Sequence, residues 1–415
     1  MHILLVTHYF HPDSGAAAVR LTRLARLLAA RGHQVTVLAP MPHYPQGRIH
    51  PRYRRRLVHV EEIDGMRVIR CWLWATPSPK ISRRLLSQLS AMLMLALRGL
   101  GVPRADVALI EGQPVFTALA GWFLCRLKRV PYVVNVSDFW PEHLLTVGVL
   151  HERHPVYRLF RALVNRTQRD AAVITTLHPP LLESVEARLG QVADGRVIYN
   201  AVDLERFRPG LDTAAFRQKY NLPPERLVTF IGTFGTHMDF EVMLDVAAHF
   251  NSREDVRFVF IGTGVQREYV QQRLQTPELS RARWIDWLEH EEMPLAWNAS
   301  YLTFWAIRNH DLNRKFLQAK VYEALASGTP VAIAIEGITT QVITESGGGF
   351  TVPFGDTQGL INAITRLLDD EALREQCSRN ARAYAEQHYD PQRVADAYED
   401  ALRAAVQSRN PQSAK

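Results

Sequence analysis

Lys320-Val321-Tyr322-Glu323-Ala324-Leu325-Ala326-Ser327-Gly328-Thr329-Pro330-Val331-Ala332 is the stretch on which the reading of this 415-residue chain turns. Good helix formers run to Ser327, Gly328 supplies the turn that ends a short helix, and an apolar strand starts at Pro330. Glu323 falls among Val321, Leu325 and Ala326, where a carboxylate is costly to bury unless it accepts hydrogen bonds. Two partners fit that need: the hydroxyls of a ribose, or a nearby arginine. Downstream, Glu345-Ser346-Gly347-Gly348-Gly349-Phe350-Thr351-Val352-Pro353-Phe354-Gly355-Asp356 reads as a glycine-rich turn, a strand and a second turn.

Working outward, short β-branched runs alternate with longer helical patterns, as in parallel sheets joined by helical crossovers. The second half offers strands at 227–231, 257–261, 282–287, 302–305, 330–335 and 350–352. The first half offers them at 3–7, 35–39, 68–71, 107–111, 132–137, 173–176 and 197–199. Between the first two of these, Leu21, Leu24, Ala25 and Leu28 repeat at helical spacing, and Gly32 closes that helix. A polar stretch near 201–212 separates the two series. The expected organisation is therefore an α/β chain of two doubly wound domains, residues 1–202 and 203–389, facing a cleft. A helical tail at 390–415, broken off at Asp390-Pro391, is expected to pack back on the first domain. Sheets of this kind bind ligands beyond the carboxyl ends of their strands.

Composition narrows the class. Hydrophobic residues make up 47% and charged residues 22%, the profile of a soluble globular protein rather than a disordered or collagen-like one. Three widely spaced cysteines suggest neither a disulfide framework nor a Cys-based zinc site. No leader-like segment opens the chain and the most apolar run, 85–102, is interrupted by polar residues, so the expected location is the cytoplasm. Between Arg48 and Arg104, twelve Lys or Arg face three acids, an excess of nine against a net +7 for the whole chain. Within that patch Arg54, Arg55 and Arg56, and Arg83 and Arg84 just before the apolar run, suit an anionic membrane surface or a phosphorylated acceptor. The same run also reads as a core helix with a solvated basic flank. No recognition module supports binding to nucleic acid.

Two strand-to-helix turns carry small residues. Gly15, in His8-Tyr9-Phe10-His11-Pro12-Asp13-Ser14-Gly15-Ala16, reads as a place for a phosphate or as an ordinary turn glycine. Gly232-Thr233-Phe234-Gly235-Thr236-His237 could accept a pyrophosphate, with His237 donating to it. Neither is a Gly-x-Gly-x-x-Gly or Walker loop, which weakens dinucleotide oxidoreductase and kinase readings.

The Lys320–Val331 and Gly347–Asp356 segments resemble the donor-binding half of the large retaining glycosyltransferase family of GT-B fold, whose domains are Rossmann-like. Gly32-His33-Gln34-Val35-Thr36-Val37-Leu38 resembles that family's second strand, and Tyr199-Asn200-Ala201-Val202-Asp203-Leu204-Glu205-Arg206-Phe207-Arg208-Pro209 its interdomain hinge. Pro42–Arg48, Asp64–Arg70 and Asp138-Phe139-Trp140-Pro141-Glu142 are similar to the branch that builds colanic acid, O-antigen and capsule-type polysaccharides. The resemblance covers nearly the whole chain. It implies an acceptor-binding first domain and a nucleotide-sugar-binding second one, with Glu323 on the ribose and Gly15, Gly232, Gly235, His237, Lys320 and Gly337 around the donor.

Two positions depart from the pattern. The family carries two glutamates separated by seven residues, and Lys315 stands where the first belongs, so that acid's role near the donor sugar has no bearer there. Many members also place a basic pair after the first strand of the second domain to neutralise the diphosphate; here that region reads Thr236-His237-Met238-Asp239, and Lys320 is expected to take the diphosphate instead. Arg308, Arg314 and Lys315 are alternatives. With no Asp-x-Asp pair or clustered His ligands, transfer without a metal or other cofactor is expected. The resemblance implies retention at the anomeric carbon, the leaving phosphate itself accepting the proton. Asp138, after a buried strand, is the best acid for an acceptor hydroxyl, and equally an N-cap. Expected partners are a nucleotide-diphosphate sugar, a polyprenyl-diphosphate-linked glycan and the inner face of the plasma membrane. Two alternatives share the architecture: a UDP-sugar 2-epimerase, and a non-catalytic subunit made conceivable by Lys315.

Overall fold

The computed structural model describes residues 1–78, 80–142, 151–190 and 192–408. Contacts divide it into two compact units: Met1–Asn200 together with Pro391–Lys415, and Ala201–Asp390. The strands are β1 (His2–Val6), β2 (Gln34–Pro40), β3 (Val58–Ile63), β4 (Met66–Cys71), β5 (Val107–Glu111), β6 (Tyr132–Val136), β7 (Val173–Thr176) and β8 (Gly195–Val197) in the first unit. In the second they are β9 (Arg226–Ile231), β10 (Val256–Ile261), β11 (Ala282–Ile285), β12 (Leu302–Ala306), β13 (Val331–Ala334) and β14 (Gly349–Val352).

The first sheet runs β3-β4-β2-β1-β5-β6-β7-β8 and the second β11-β10-β9-β12-β13-β14. All neighbours are parallel except β3 and β4. Ile3 pairs with both Val35 and Val107, and Thr229 with both Val259 and Thr303, so β1 and β9 sit in the middle of their sheets. The chain winds outward in both directions from each of them. Their carboxyl ends are the switch points at which helices diverge and open a crevice, and the loops after β1 and β9 therefore line the natural ligand positions. The central strands of both sheets are buried on two faces, which is why they are rich in Val, Ile, Leu and Phe.

The expected strand at 282–287 stops at Ile285, leaving Trp287 in solvent, and that at 197–199 lies earlier, at Gly195–Val197. Strand β3 is an addition that the pattern search passed over. It is a half-exposed edge strand whose Val-His-Val-Glu-Glu-Ile alternation lacks a buried run. Asp64 (φ 51°) and Gly65 (φ 74°) join it to β4 in a two-residue hairpin turn, which needs positive φ at both positions.

The helix Pro391–Gln407 packs on the helix Ala16–Ala30 and on β5, β6 and β7 of the first unit. Its Ala395, Tyr398, Ala401, Leu402 and Ala405 are buried, Arg31 pairs with Asp396 (2.8 Å) and Glu399 (3.2 Å), and the Tyr398 hydroxyl donates to Asn135 Oδ1. Residues 409–415 of the expected tail lie outside the described residues. All three cysteines are free and buried, and burial pushes the Cys71 and Cys125 thiols up to about 12.

Candidate functional site

In the second unit, β9 ends at Ile231 and the chain turns through Gly232 (φ 147°) and Gly235 before Asp239 caps the helix Phe240–His249. The helix Ala319–Ala326 brings Lys320 to this turn. A Cβ placed on Gly232 would stand 2.9 Å from Lys320 Nζ, so only glycine lets the ammonium lie against the loop. That nitrogen is buried and has no hydrogen-bond partner among the described residues. It rests over the rings of Phe230 (4.1 Å) and Trp305 (5.1 Å). Burial holds Lys320 down at about 7, with Glu323 opposing part of the shift. A buried cation with no partner is an expensive arrangement and marks a place where an anion would be welcome.

Glu323 lies three positions further along the same helix and therefore on the same side as Lys320. Its Oε2 accepts a hydrogen bond from the indole of the fully buried Trp297 (3.0 Å). Burial raises its carboxyl above the ordinary range, against the Trp297 hydrogen bond and the charges of Arg206 and Lys320. The imidazole of His237 lies over Gly235, whose Cβ would come within 2.6 Å of its ring. Burial, and next the charge of Lys320, keep His237 below its usual range and so neutral near pH 7. Gly232, Gly235, His237, Lys320 and Glu323 are thus one cluster at the carboxyl end of β9.

Gly337 opens the helix Ile338–Ser346 at φ 94°, and a Cβ there would collide with the backbone of Arg314 at 2.0 Å. It lets the 311–315 turn settle onto the end of β13. Arg314 is committed to Glu336 (3.0 Å) and the ring of Phe354 (4.8 Å), and Lys315 is exposed. Arg308 is exposed and donates its backbone N–H to the His237 carbonyl (2.9 Å), so it adjoins the same turn, but of the four cations considered for a diphosphate it is Lys320 whose side-chain nitrogen lies against Gly232. Trp305 is core, and Trp284 donates to Gly262 O beneath the guanidinium of Arg267.

In the first unit, Gly15 precedes the helix Ala16–Ala30, and what approaches it is the ring of Tyr44, 3.3 Å from a notional Cβ. Around it Asp13 Oδ1 accepts from the backbone N–H groups of His43 and Tyr44, and Tyr9 stacks on His43. Asp138 follows β6, and its Oδ1 accepts from the N–H of Phe139 (2.7 Å). The turn that carries it is fixed by a buried network. Glu111 accepts from Arg20, Asn135 and Ser137, while Gln113 accepts from the Ser137 N–H and donates to the Asp138 carbonyl.

Arg54, Arg55 and Arg56 occupy the turn before β3. Arg54 bonds Ile49 O, Arg55 has φ 63°, and Arg56 meets His59. Arg83 and Arg84 are exposed on the first turn of the helix Ile81–Gly99. That helix buries Ser87, Ala91, Leu95 and Gly99 against its own unit and turns Leu86, Leu89, Leu93 and Leu97 outward, Leu97 being 63% exposed. Phe123 and Leu127 of the adjoining helix Val115–Lys128 are also exposed. Among the described residues no helix is long and apolar enough to cross a membrane.

Trp297 and Arg206 were not singled out from the sequence. Arg206 sits inside the hinge motif, but only folding brings its charge to bear on Glu323. Trp297 gives no local signal at all.

Two doubly wound units, each with a loop of small residues at its switch point, define the architecture of the GT-B glycosyltransferases. The solved structure of sucrose-phosphate synthase from Thermosynechococcus elongatus superposes with a TM-score of 0.75 at 18% identity, over 98% of this chain and 100% of that one. The HepE protein of Anabaena, solved in complex with UDP-glucose, gives 0.69 at 17% identity, over 97% and 100%. Residues 15–201 match the glycosyl transferase 4-like domain and residues 212–384 match glycosyl transferases group 1. A GDP-mannose-dependent alpha-mannosyltransferase of Mycobacterium tuberculosis (strain CDC 1551 / Oshkosh) is 25% identical over 374 residues, 89% of each chain. The chain belongs to the group 1 glycosyltransferases.

Proposed function

We propose that this glycosyltransferase moves a hexose-type sugar from a nucleotide-diphosphate donor to a polyprenyl-diphosphate-linked glycan at the inner face of the plasma membrane, in surface-polysaccharide synthesis of the colanic-acid, O-antigen or capsule type. The observation that carries the donor reading is the buried, partnerless ammonium of Lys320 against Gly232, with Glu323 on the same helix side. In this reading the diphosphate occupies the turn after β9. Backbone N–H groups and Lys320 take its charge, and Glu323 accepts from the ribose hydroxyls. Stabilising the leaving diphosphate is the main electrostatic task of the reaction, and a fixed cation in a water-poor site performs it with little reorganisation. The reaction is retaining and needs no metal: the acceptor hydroxyl attacks the face the diphosphate leaves, and a phosphate oxygen takes its proton. Asp138 orients that hydroxyl. A GDP-mannose-dependent relative and a UDP-glucose-bound structural neighbour both fit a nucleotide-sugar donor.

The membrane reading is supported by the outward leucines of the helix Ile81–Gly99 and by Lys80, Arg83 and Arg84 at its start. An apolar stripe with a cationic end suits the headgroup boundary of an anionic bilayer.

The test is a thermal-shift panel of UDP-, GDP- and dTDP-sugars on the wild type, Lys320→Ala and Glu323→Ala, since a ligand of the folded state raises its melting point. One donor is expected to stabilise the wild type, and the shift to collapse in both variants. Equal shifts in all three remove the donor-site assignment. Epimer formation from a UDP-sugar without acceptor would identify a 2-epimerase, and absence of any donor binding a non-catalytic subunit.

A further inference from the structure

The helix Ala319–Ala326 presents its groups in order. Lys320, against the glycine turn, comes first, and Glu323 follows about one turn later. At the far end of the helix stands part of the hinge motif. One terminal nitrogen of Arg382 donates to three carbonyls, those of Leu204 (3.1 Å), Phe207 (2.8 Å) and Ala326 (2.8 Å). Residues 204–207 of the second unit therefore lie against the helix terminus, whose Ala326 is about 4.5 Å along the axis from Glu323. The base and the diphosphate are attached to opposite ends of a ribose ring. With the diphosphate on Lys320 and the ribose hydroxyls on Glu323, the base runs on toward residues 204–207 and the groups they hold.

Arg206 is the group in that place. One terminal nitrogen donates to the His290 carbonyl, in the turn that follows β11, and the half-buried guanidinium lies over the ring of Phe207 (5.6 Å). Its charge acts on the Glu323 carboxyl. The Nε and the other terminal nitrogen have no hydrogen-bond partner among the described residues. Glu289 and Glu291 flank His290, both exposed, and neither carboxylate is bonded among the described residues. Beyond Glu323, then, a fork of donors stands beside two groups that only accept. Guanine answers both: O6 and N7 are neighbouring acceptors that a guanidinium engages as a fork, and N1–H and the 2-amino group are neighbouring donors that suit a carboxylate. Adenine sets its 6-amino group beside N7, and cytosine presents a 4-amino group, so both bring a donor to a donor. Uracil and thymine offer the arginine O4 alone and the carboxylates a single N–H.

We propose that Arg206 reads O6 and N7 of a guanine base, with Glu289 and Glu291 accepting from its N1–H and 2-amino group, so that the donor is a GDP-sugar. The inference deepens the donor-site reading and rests on it. The test is titration calorimetry on the full chain with GDP, UDP and ADP, with IDP, which lacks the 2-amino group, and with 7-deaza-GDP, which lacks N7. GDP is expected to bind about tenfold or more tighter than UDP and ADP, and IDP and 7-deaza-GDP each to lose about fivefold or more, as the worth of a bidentate base contact implies. Arg206→Met should bring the ratio of GDP to UDP affinity close to one. Losing a charge beside Glu323 weakens every nucleotide alike, so the ratio is what reports on the base. The two analogues probe the wild type and need no variant to fold. UDP or ADP binding as tightly as GDP overturns the proposal. So does undiminished binding of 7-deaza-GDP or IDP, or a preference for GDP that survives in Arg206→Met. Tight UDP binding that is lost in Lys320→Ala sinks the guanine assignment and leaves the donor site standing, whereas no binding by any of the diphosphates overturns both.

Discussion

Donor binding should take up a proton, and Lys320 should be the group that takes it. Burial holds this lysine at about 7, while a nucleotide-diphosphate sugar keeps its charge throughout the range of interest. If only the ammonium form grips the diphosphate, the free enzyme at pH 8 is about 0.9 deprotonated at Lys320, and each donor bound there brings in about 0.9 of a proton. At pH 6 the lysine is already protonated and uptake falls to about 0.1. Donor affinity should accordingly drop roughly 50-fold between pH 7 and pH 9. His237 is shifted downward, chiefly by burial, so it is neutral over this interval and contributes below it. Calorimetric titration at pH 8 in two buffers of different ionisation enthalpy counts the protons directly. Lys320→Met should abolish the uptake, and His237→Gln should keep it. An uptake below about 0.2 in the wild type at pH 8, or one that survives in Lys320→Met, would refute the reasoning.

The same lysine should cost stability. Its folded-state pKa lies below the unfolded one, so the unfolded chain binds the proton more tightly. Lys320→Met should stabilise the second unit by up to about 5 kcal/mol at pH 7 and below, a gain that shrinks as pH rises and is gone above the unfolded pKa of about 10.5. Melting curves at pH 7 and pH 10.5 check the sign. Glu323→Gln keeps an acceptor for the Trp297 indole and should fold normally, yet lose about ten- to a hundredfold in donor affinity, as expected for hydrogen bonds to a charged group. Asp138→Asn should lower transfer while leaving donor affinity unchanged, readable as kcat against donor Kd. Leu93→Glu/Leu97→Glu should abolish sedimentation with anionic vesicles at an unchanged melting point, and Arg83→Ala/Arg84→Ala should weaken it about fivefold per residue.

Much of the fold was legible because its central strands are buried on both faces: a run such as Leu227–Ile231 is apolar at every position but Thr229 and has few other uses. Strand β3 was not, since an edge strand half in solvent leaves neither a continuous apolar run nor a clean alternation. The positions of Lys320, Glu323, Gly232 and His237 were legible as motifs. Their proximity was not, because almost ninety residues separate Gly232 from Lys320.

By itself the sequence determined the α/β class, the pairing of two doubly wound units and the glycine turn after β9, which depend on local periodicity and, at Gly232 (φ 147°), on a residue able to adopt positive φ. Tertiary structure alone decided that Lys320 lies without a hydrogen-bond partner among the described residues against Gly232, that Trp297 rather than an arginine bonds Glu323, and that Arg70 of β4 is fully buried. Burial and charge pairing depend on distances between segments remote in the chain, and no local pattern encodes them.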